Sequence, residues 1–144
     1  MSEFKSGSFI GGEACEGRVL VVDDEPDIRK VVKMTLQKVG YEVLEAENGE
    51  KAIEIINDGE NRLLLDVVIC DIRMPKINGA EAVAYFRSHY PRVPLIVLTG
   101  FPDADMARSF LRQGVVDYLV KPVEGEKLRS AVARAMEHRE LARL

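Results

Sequence analysis

The sequence is poor in the features that mark disulfide-rich, membrane-spanning and nucleic-acid-binding proteins. Only two cysteines, Cys15 and Cys70, occur in 144 residues, and they have neither metal-ligand spacing nor the density of a disulfide scaffold. The longest apolar runs are too short to span a bilayer, and the run over 63–70 is interrupted by Asp66. The net charge of −4 gives no general attraction for nucleic acid or an acidic membrane. These absences argue against a DNA-binding module and against a membrane protein.

The composition fits one globular domain preceded by a short leader. Hydrophobic residues make up 47% and charged residues 31% of the chain, and its length is close to that of a single domain. Residues 1–17 mix charged residues with Gly and Ser, and they lack the basic start and apolar centre of a secretion signal. We therefore predict a flexible leader over 1–17 and one domain over 18–144, in a cytoplasmic protein. Cys15 is expected to be a thiol of the leader, and Cys70 to fill the core.

Short β-branched runs alternate with segments of helical periodicity five times after the leader. This alternation predicts an α/β fold with a doubly wound, five-stranded parallel sheet and helices on both faces. The strands are expected at 19–22, 41–46, 66–70, 94–98 and 115–120, with a loop at 60–64. Apolar residues at three- and four-residue spacing predict the buried faces of the first and fourth helices. These are Ile28, Val31, Val32, Leu36 and Val39 in the first, and Met106, Ala107, Phe110 and Leu111 in the fourth.

Polar residues stand at the carboxyl ends of four of the predicted strands. They are Asp23 and Asp24 after the first strand, Asp71 after the third, Thr99 after the fourth and Lys121 after the fifth. Parallel strands present these ends at one edge of the sheet, which is where open α/β sheets bind ligands. Three carboxylates in one cleft repel one another unless a cation relieves the repulsion. Hard oxygen ligands without imidazole or thiolate favour Mg²⁺.

The charge balance at this edge suits phosphoryl transfer. Three carboxylates, the Lys121 ammonium and Mg²⁺ sum to a nearly neutral site that can accept a phosphoryl group, with Thr99 and Lys121 as donors to its oxygens. Asp71 is the expected nucleophile because it ends the middle strand, whereas the adjacent pair Asp23 and Asp24 suits a metal. Each residue taken alone also has an ordinary alternative as a turn residue, a cap or a surface charge.

The sequence resembles the receiver domain of two-component response regulators in four motifs that occur in the expected order. They are Val-Val-Asp23-Asp24-Glu-Pro, Asp71-Ile-Arg-Met-Pro75 with Gly79, Val-Leu-Thr99-Gly, and Asp117-Tyr118-Leu-Val-Lys121-Pro122. The resemblance covers 18–139, and it implies a flavodoxin-like fold and a phosphorelay function. In such a domain Asp71 accepts a phosphoryl group from a histidine kinase or a histidine phosphotransfer protein. The resemblance also implies Mg²⁺ held by Asp24, Asp71 and the main-chain carbonyl of Arg73, with Asp23 acting mostly through water.

The resemblance also implies that the remaining motif residues bind the phosphoryl group and respond to its presence. Thr99 and Lys121 would bind its oxygens, and Tyr118 would turn inward when Thr99 shifts. The Lys121–Pro122 bond is implied to be cis, which proline tolerates. The output surface would consist of the fourth helix, the fifth strand and the last helix. Such a domain is a signalling module rather than an enzyme, because it takes part only in its own phosphorylation and dephosphorylation.

Two other functions were compatible with parts of this pattern. One is a receiver-like interaction module that works without phosphorylation, whose usual signature is a lost acid or lysine; none is missing here. The other is an aspartate-nucleophile phosphatase of the haloacid dehalogenase type, which carries its nucleophile after the first strand with a second Asp two residues later, whereas Asp23 and Asp24 are adjacent. No Gly-rich phosphate loop follows Val22. The charged residues of the last helix, including Arg139, predict a solvated face and leave a homodimer surface open, and the effector stays unidentified.

Overall fold

The fold is a five-stranded parallel sheet with helices on both faces. The structure is a computed structural model, and it describes residues 9–10, 13–14, 16–72 and 79–142. The strands are β1 (Gly17–Val22), β2 (Tyr41–Ala46), β3 (Val67–Asp71), β4 (Leu95–Thr99) and β5 (Asp117–Val120). Their spatial order is β2-β1-β3-β4-β5, and all four neighbouring pairs are parallel. This arrangement confirms the predicted doubly wound, flavodoxin-like sheet.

In the described part of the chain, five helices of eight or more residues connect the strands or close the fold. They are α1 (Pro26–Gln37), α2 (Gly49–Ile56), α3 (Gly79–His89), α4 (Ala104–Arg112) and α5 (Gly125–Ala142). Local sequence sets where they begin: Pro26 occupies the first turn of α1, and the Asn48 side chain accepts a hydrogen bond from the Lys51 N–H at the start of α2. Asp103 caps α4 in the same way, since its carboxylate accepts from the N–H groups of Asp105 and Met106.

The sheet is buried on both faces by two apolar clusters. One face packs against α2, α3 and α4, and the other packs against α1 and α5. Strand β1 shows the division, because Leu20 and Val22 lie in the first cluster while Val19 and Val21 lie in the second. Side chains of a strand alternate between faces, so a strand covered on both sides must be apolar at nearly every position. This explains the continuous apolar runs in the sequence.

The predicted helix faces were too wide. Val31, Val39 and Leu111 are 55%, 42% and 50% exposed, and Met106 is 37% exposed. Only a narrow stripe of each helix touches the sheet: Val32 and Leu36 are buried in α1, and Phe110 in α4. Residues at the border of a stripe share its three- and four-residue spacing, so periodicity alone does not separate them from the buried ones.

Several predicted boundaries also differ from the structure. The expected loop at 60–64 contains a four-residue helix, Asn61–Leu64. Strand β5 begins at Asp117 instead of 115, and β3 and β4 each end one residue later than predicted. Asp71 and Thr99 are therefore the last residues of their strands, because Asp71 still pairs with Leu98 and Thr99 with Val120.

The predicted leader contributes some regular structure. Gly17, its last residue, is instead the first residue of β1, and residues 9–10 pair with 13–14 as short antiparallel strands. Cys70 is buried, as expected of a core residue, whereas Cys15 lies outside the described residues. Among the helices that the structure describes, none combines the length and the apolar composition that a membrane span requires.

The predicted solvated face of α5 has one exception. Arg139 is only 6% exposed, and its guanidinium donates to the carbonyls of Arg92 at 3.0 Å and Leu63 at 3.3 Å. Its Nε atom lies 3.9 Å from Oδ1 of Asp66, which is fully buried just before β3. The expectation of a solvated Arg139 is therefore wrong, because carbonyls and a buried carboxylate at the amino edge of the sheet replace water around it.

Candidate functional site

Four strand ends place polar side chains at the carboxyl edge of the sheet. Asp23 follows β1, Asp71 and Thr99 end β3 and β4, and Lys121 follows β5. The ends of β4 and β5 are joined by a backbone hydrogen bond, in which the Lys121 N–H donates to the Thr99 carbonyl at 2.7 Å. The peptide bond between Lys121 and Pro122 is cis. Arg73, whose carbonyl was expected to bind metal, lies outside the described residues.

The Lys121 ammonium lies among three carboxylates. Its Nζ atom is 2.8 Å from Oδ2 of Asp23, 3.0 Å from Oδ2 of Asp71 and 3.5 Å from Oε1 of Glu25. The side chains of Asp23, Asp71 and Lys121 are 0%, 2% and 11% exposed, whereas Glu25 is 58% exposed. Lys121 is therefore the positive charge that compensates two buried acids in this structure.

Burial and charge act in opposite directions on this cluster. Burial is the main cause that raises the pKa of the Asp23 carboxyl, and the nearby charge of Asp71 adds to it, while the contact with Lys121 opposes it. For Lys121, burial lowers the pKa, but the hydrogen bonds and charges of Asp23 and Asp71 outweigh that effect and raise its pKa to about 12. Lys121 thus stays protonated near neutral pH, whereas the ionised form of Asp23 is disfavoured by its surroundings.

The local backbone fixes the orientation of Asp23. Its Oδ1 atom accepts a hydrogen bond from the Glu25 N–H at 2.9 Å, which forms a tight turn at the end of β1. The guanidinium of Arg29 donates to the Asp23 carbonyl at 2.6 Å, and the Asp23 N–H donates to the Ala46 carbonyl at 3.0 Å. The N–H, the carbonyl and the Oδ1 atom of Asp23 thus all have hydrogen-bond partners. These contacts fix the side chain with its other oxygen, Oδ2, toward Lys121.

Four carboxylates are close enough to share one cation. One oxygen from each of Asp23, Asp24, Glu25 and Asp71 lies within 4.8 Å of the others. An all-oxygen set of this kind fits a hard divalent ion such as Mg²⁺. Glu25 was not among the residues selected from the sequence, although its place directly after two aspartates was a visible signal. Its orientation toward the cluster depends on the turn that starts α1, which spacing does not reveal.

Thr99 and Tyr118 both contact the loop that leads into α4. The Oγ1 atom of Thr99, which is fully buried, accepts a hydrogen bond from the Phe101 N–H at 3.0 Å. The hydroxyl of Tyr118 accepts from the Asp103 N–H at 3.1 Å, and the Tyr118 ring lies 6.4 Å from the ring of Phe110. The side chain that ends β4 and the aromatic residue of β5 are therefore linked to the same short segment at the start of α4.

Known proteins are similar to this chain in sequence and in fold. The family model described as response regulator receiver domain matches residues 19–133. The regulatory protein AtoC of Escherichia coli (strain K12) is 36% identical over 120 residues, which are 83% of this chain and 25% of AtoC. The response regulator protein PilR of Pseudomonas aeruginosa is 34% identical over 122 residues, which are 85% of this chain and 26% of PilR.

The structural comparison agrees with the sequence comparison. A crystal structure of a response regulator receiver domain protein from Clostridium thermocellum has a TM-score of 0.80 and 34% identity, covering 87% of this chain and 98% of that one. The chain spans about a quarter of the length of AtoC and PilR. The similarity to those two regulators is therefore confined to one part of each.

Proposed function

This chain belongs to the response regulator receiver domain family, and we propose that it accepts a phosphoryl group on Asp71 in a Mg²⁺-dependent reaction. The donor is a phosphohistidine on a histidine kinase or a histidine phosphotransfer protein. The observation that carries the proposal is the buried pair of Asp23 and Asp71 bridged by the Lys121 ammonium at the carboxyl edge of the sheet. A second candidate function gains no support from the described residues, because the acids and the lysine of the family motif are all present.

Asp71 is the nucleophile in this proposal. An oxygen of its carboxylate forms a bond to phosphorus, the bond between phosphorus and the donor imidazole breaks, and the imidazole nitrogen keeps that electron pair and takes up a proton. Asp71 is 2% exposed and ends the middle strand, so its side chain is held at the centre of the sheet edge. Its contact with Lys121 supplies a positive charge beside the position at which negative charge is added.

Asp24 and Asp71 are the residues that would hold Mg²⁺ directly, together with the carbonyl of Arg73. Asp23 is already engaged by the Glu25 N–H and by Lys121, so it suits an outer position that acts through water. When bound, Mg²⁺ neutralises the carboxylates and the phosphoryl oxygens. The chain's own contribution is a fixed set of oxygen ligands at one sheet edge and an ammonium that remains charged.

Thr99 and Lys121 bind the remaining phosphoryl oxygens in this proposal. Because the Thr99 hydroxyl accepts from the Phe101 N–H, a shift of this side chain toward the phosphoryl group alters the segment that leads into α4. Tyr118 is held by the same segment through Asp103, so it responds to that change. The output surface therefore consists of α4, β5 and α5, and the partner that reads it is an effector domain or a downstream protein.

Phosphorylation by acetyl phosphate tests the proposal without a cognate kinase. We expect intact-mass analysis to show one added phosphoryl group on the wild-type protein with Mg²⁺ and none after addition of EDTA. Asp71→Asn should abolish the adduct, whereas Asp58→Asn, which removes an exposed carboxylate away from the sheet edge, should leave it unchanged. An adduct that survives in Asp71→Asn, or that forms equally well in EDTA, would contradict the proposal.

A further inference from the structure

Glu25 brings a fourth carboxylate to the site without a structural task of its own. It is the residue before the first turn of α1, with an extended backbone (φ −90°, ψ 111°), yet its side chain makes no capping hydrogen bond to the helix. Its main-chain N–H serves the fold by donating to Asp23, and that contact does not depend on the side chain. The Glu25 carboxylate therefore does not cap the helix, which is the usual role of a side chain at this position.

The contacts of this carboxylate point into the site. Its Oε1 atom lies 3.5 Å from the Lys121 ammonium, and one of its oxygens lies within 4.8 Å of the ligand atoms of Asp23, Asp24 and Asp71. The ammonium therefore contacts one exposed carboxylate, Glu25, and two buried ones. Glu25 is the only one of these three acids whose exposure leaves its side chain room to move.

A divalent cation and the Lys121 ammonium need the same acceptors. Oδ2 of Asp71 and Oδ2 of Asp23 are both in contact with Nζ, so a cation that binds Asp71 directly and Asp23 through water competes with an internal positive charge. Displacing the Lys121 ammonium costs less free energy if the ammonium stays in contact with a carboxylate after the cation has bound. Asp23 and Asp71 are held by burial and by the ends of β1 and β3, whereas Glu25 can follow the ammonium to the rim of the site.

We propose that Glu25 is a positioning residue that retains Lys121 at the rim of the site while a divalent cation occupies the carboxylates. The inference rests on the proposed Mg²⁺-dependent function and adds to it a residue that acts through Lys121. Its consequence is a higher affinity for the cation than the three aspartates alone would give. Glu25 also keeps the ammonium close to Asp71, where the incoming phosphoryl group needs it.

Calorimetric titration of the metal-free protein with Mg²⁺ tests this role apart from phosphorylation. Glu25→Gln should weaken Mg²⁺ binding roughly three- to tenfold, because the displaced ammonium then lacks its partly screened ion pair at the rim, and Glu25→Asp should recover part of the loss. Glu50→Gln, which removes an exposed carboxylate from α2, is the control for net charge and should change little. Lys121→Met should bind Mg²⁺ more tightly than the wild type, because the internal competitor is gone.

The combination of Glu25→Gln with Lys121→Met separates an action through Lys121 from a direct action on the metal. We expect Glu25→Gln to change Mg²⁺ affinity less than twofold when Lys121 is absent. An equal loss in both backgrounds would overturn the inference, because Glu25 would then act on the metal alone. Affinity unchanged by Glu25→Gln in the wild-type background would overturn it as well.

A second measurement keeps the test independent of how well the Lys121→Met variant folds. In the Mg²⁺-saturated wild-type protein, nuclear Overhauser contacts between the Lys121 Hε and Glu25 Hγ protons should be present, and their absence would contradict the inference. Failure of the wild-type protein to bind Mg²⁺ would contradict the proposed function and this inference together. Binding by the wild type with either negative result above would contradict only the role of Glu25.

Discussion

Lys121 and Asp23 show how the site keeps like charges together at the residue scale. The ammonium contacts both buried acids, but it does not fully offset the burial of Asp23, whose pKa remains above its ordinary value. Buried charges that are only partly compensated destabilise a fold. The metal-free site is therefore expected to lower the stability of the fold, and the proposed cation would relieve that cost.

Asp23→Asn should raise the stability of the metal-free protein. A carboxyl whose folded-state pKa is raised favours folding when protonated and opposes it when ionised, so the wild type loses stability as pH rises through that pKa. The advantage of the Asn variant should be of order 1 kcal/mol near pH 7 and should vanish as pH falls toward the ordinary Asp value of 3.8. Urea unfolding in EDTA at several pH values measures this difference.

The control for this prediction is Asp58→Asn, which changes an exposed carboxylate and should show no such trend. The prediction is wrong if Asp23→Asn lowers stability at pH 7, or if its advantage grows on acidification. Asn at position 23 retains an oxygen that accepts from the Glu25 N–H, and Lys121 retains Asp71 as a partner. The comparison therefore tests the loss of the Asp23 charge together with its contact to Lys121.

Asp24→Ala should weaken Mg²⁺ binding more than Asp23→Ala. Asp24 is more accessible than Asp23 and belongs to the group of carboxylates that can share a cation, whereas Asp23 is fully buried and already in contact with Lys121. Removing Asp23 also releases Lys121 from one partner, but it leaves the accessible ligands in place. Calorimetric Mg²⁺ titration of both variants decides the order, and equal affinities would show that the two acids share the metal differently from the family pattern.

The aspartates and Lys121 were predictable from the sequence, but Glu25 was not. Ends of parallel strands must lie at one edge, so alternation of strands and helices is enough to bring Asp23, Asp71 and Lys121 together. Glu25 lies beyond the strand end, where the turn after β1 and the first residue of α1 decide the direction of the side chain. Such local geometry has no periodic signature.

At the scale of elements, the start of α4 is tied to two neighbouring strands. Thr99 at the end of β4 binds the Phe101 N–H, and Tyr118 of β5 binds the N–H of Asp103, whose own side chain caps α4. A ligand that draws the Thr99 hydroxyl away from the Phe101 N–H breaks this hydrogen bond. The hydrogen bond between Tyr118 and the Asp103 N–H then still joins β5 to this segment. This arrangement links the ends of β4 and β5 with the start of α4, through which the proposed switch would act.

Beryllofluoride, which stands in for a phosphoryl group, should shift the backbone amide signals of α4 and β5 in the presence of Mg²⁺. We expect changes near Met106, Tyr118 and Leu128 in addition to those beside Asp71, measured by heteronuclear NMR. Thr99→Ala should confine the shifts to the surroundings of Asp71, whereas Thr99→Ser, which keeps the hydroxyl, should behave like the wild type. Shifts restricted to Asp71 in the wild type would rule out this switch.

The faces of helices were harder to predict than their existence. Apolar periodicity located α1 and α4, but it also assigned Val31, Met106 and Leu111 to the core, where the structure leaves them exposed. The reason is that a helix on a sheet buries a narrow stripe whose border is set by the crossing geometry. The exposed Met106 lies on the helix that the switch is proposed to move, so its exposure is compatible with an output surface there.

At the scale of the whole molecule, a buried ion pair at the amino edge anchors the last helix. Arg139 near the end of α5 contacts Asp66 and donates to two carbonyls, while Asp66 also accepts from the Arg18 N–H at 2.8 Å. This pairing connects α5 with the starts of β1 and β3, on the edge opposite to the proposed phosphorylation site. The fold thus holds α5 firmly at one end, and the proposed switch acts nearer the other.

Arg139→Met should destabilise the protein by about 3 kcal/mol, because it removes the guanidinium charge beside the buried Asp66 carboxylate. The double variant with Asp66→Asn should recover part of the loss, since both charges are then absent. Denaturant unfolding measures both effects, with Arg129→Met, an exposed position on the same helix, as the control. A loss below 1 kcal/mol in Arg139→Met would show that the pair is not an anchor.

The most direct test of the central claim is to locate the phosphoryl group after reaction with acetyl phosphate and Mg²⁺. Borohydride reduction converts an aspartyl phosphate to homoserine, and tandem mass spectrometry of the resulting peptides identifies the position. The account predicts homoserine at position 71 and aspartate at positions 23 and 24. Homoserine at 23 or 24, or an unmodified Asp71 in a protein that carries the phosphoryl group, would contradict it.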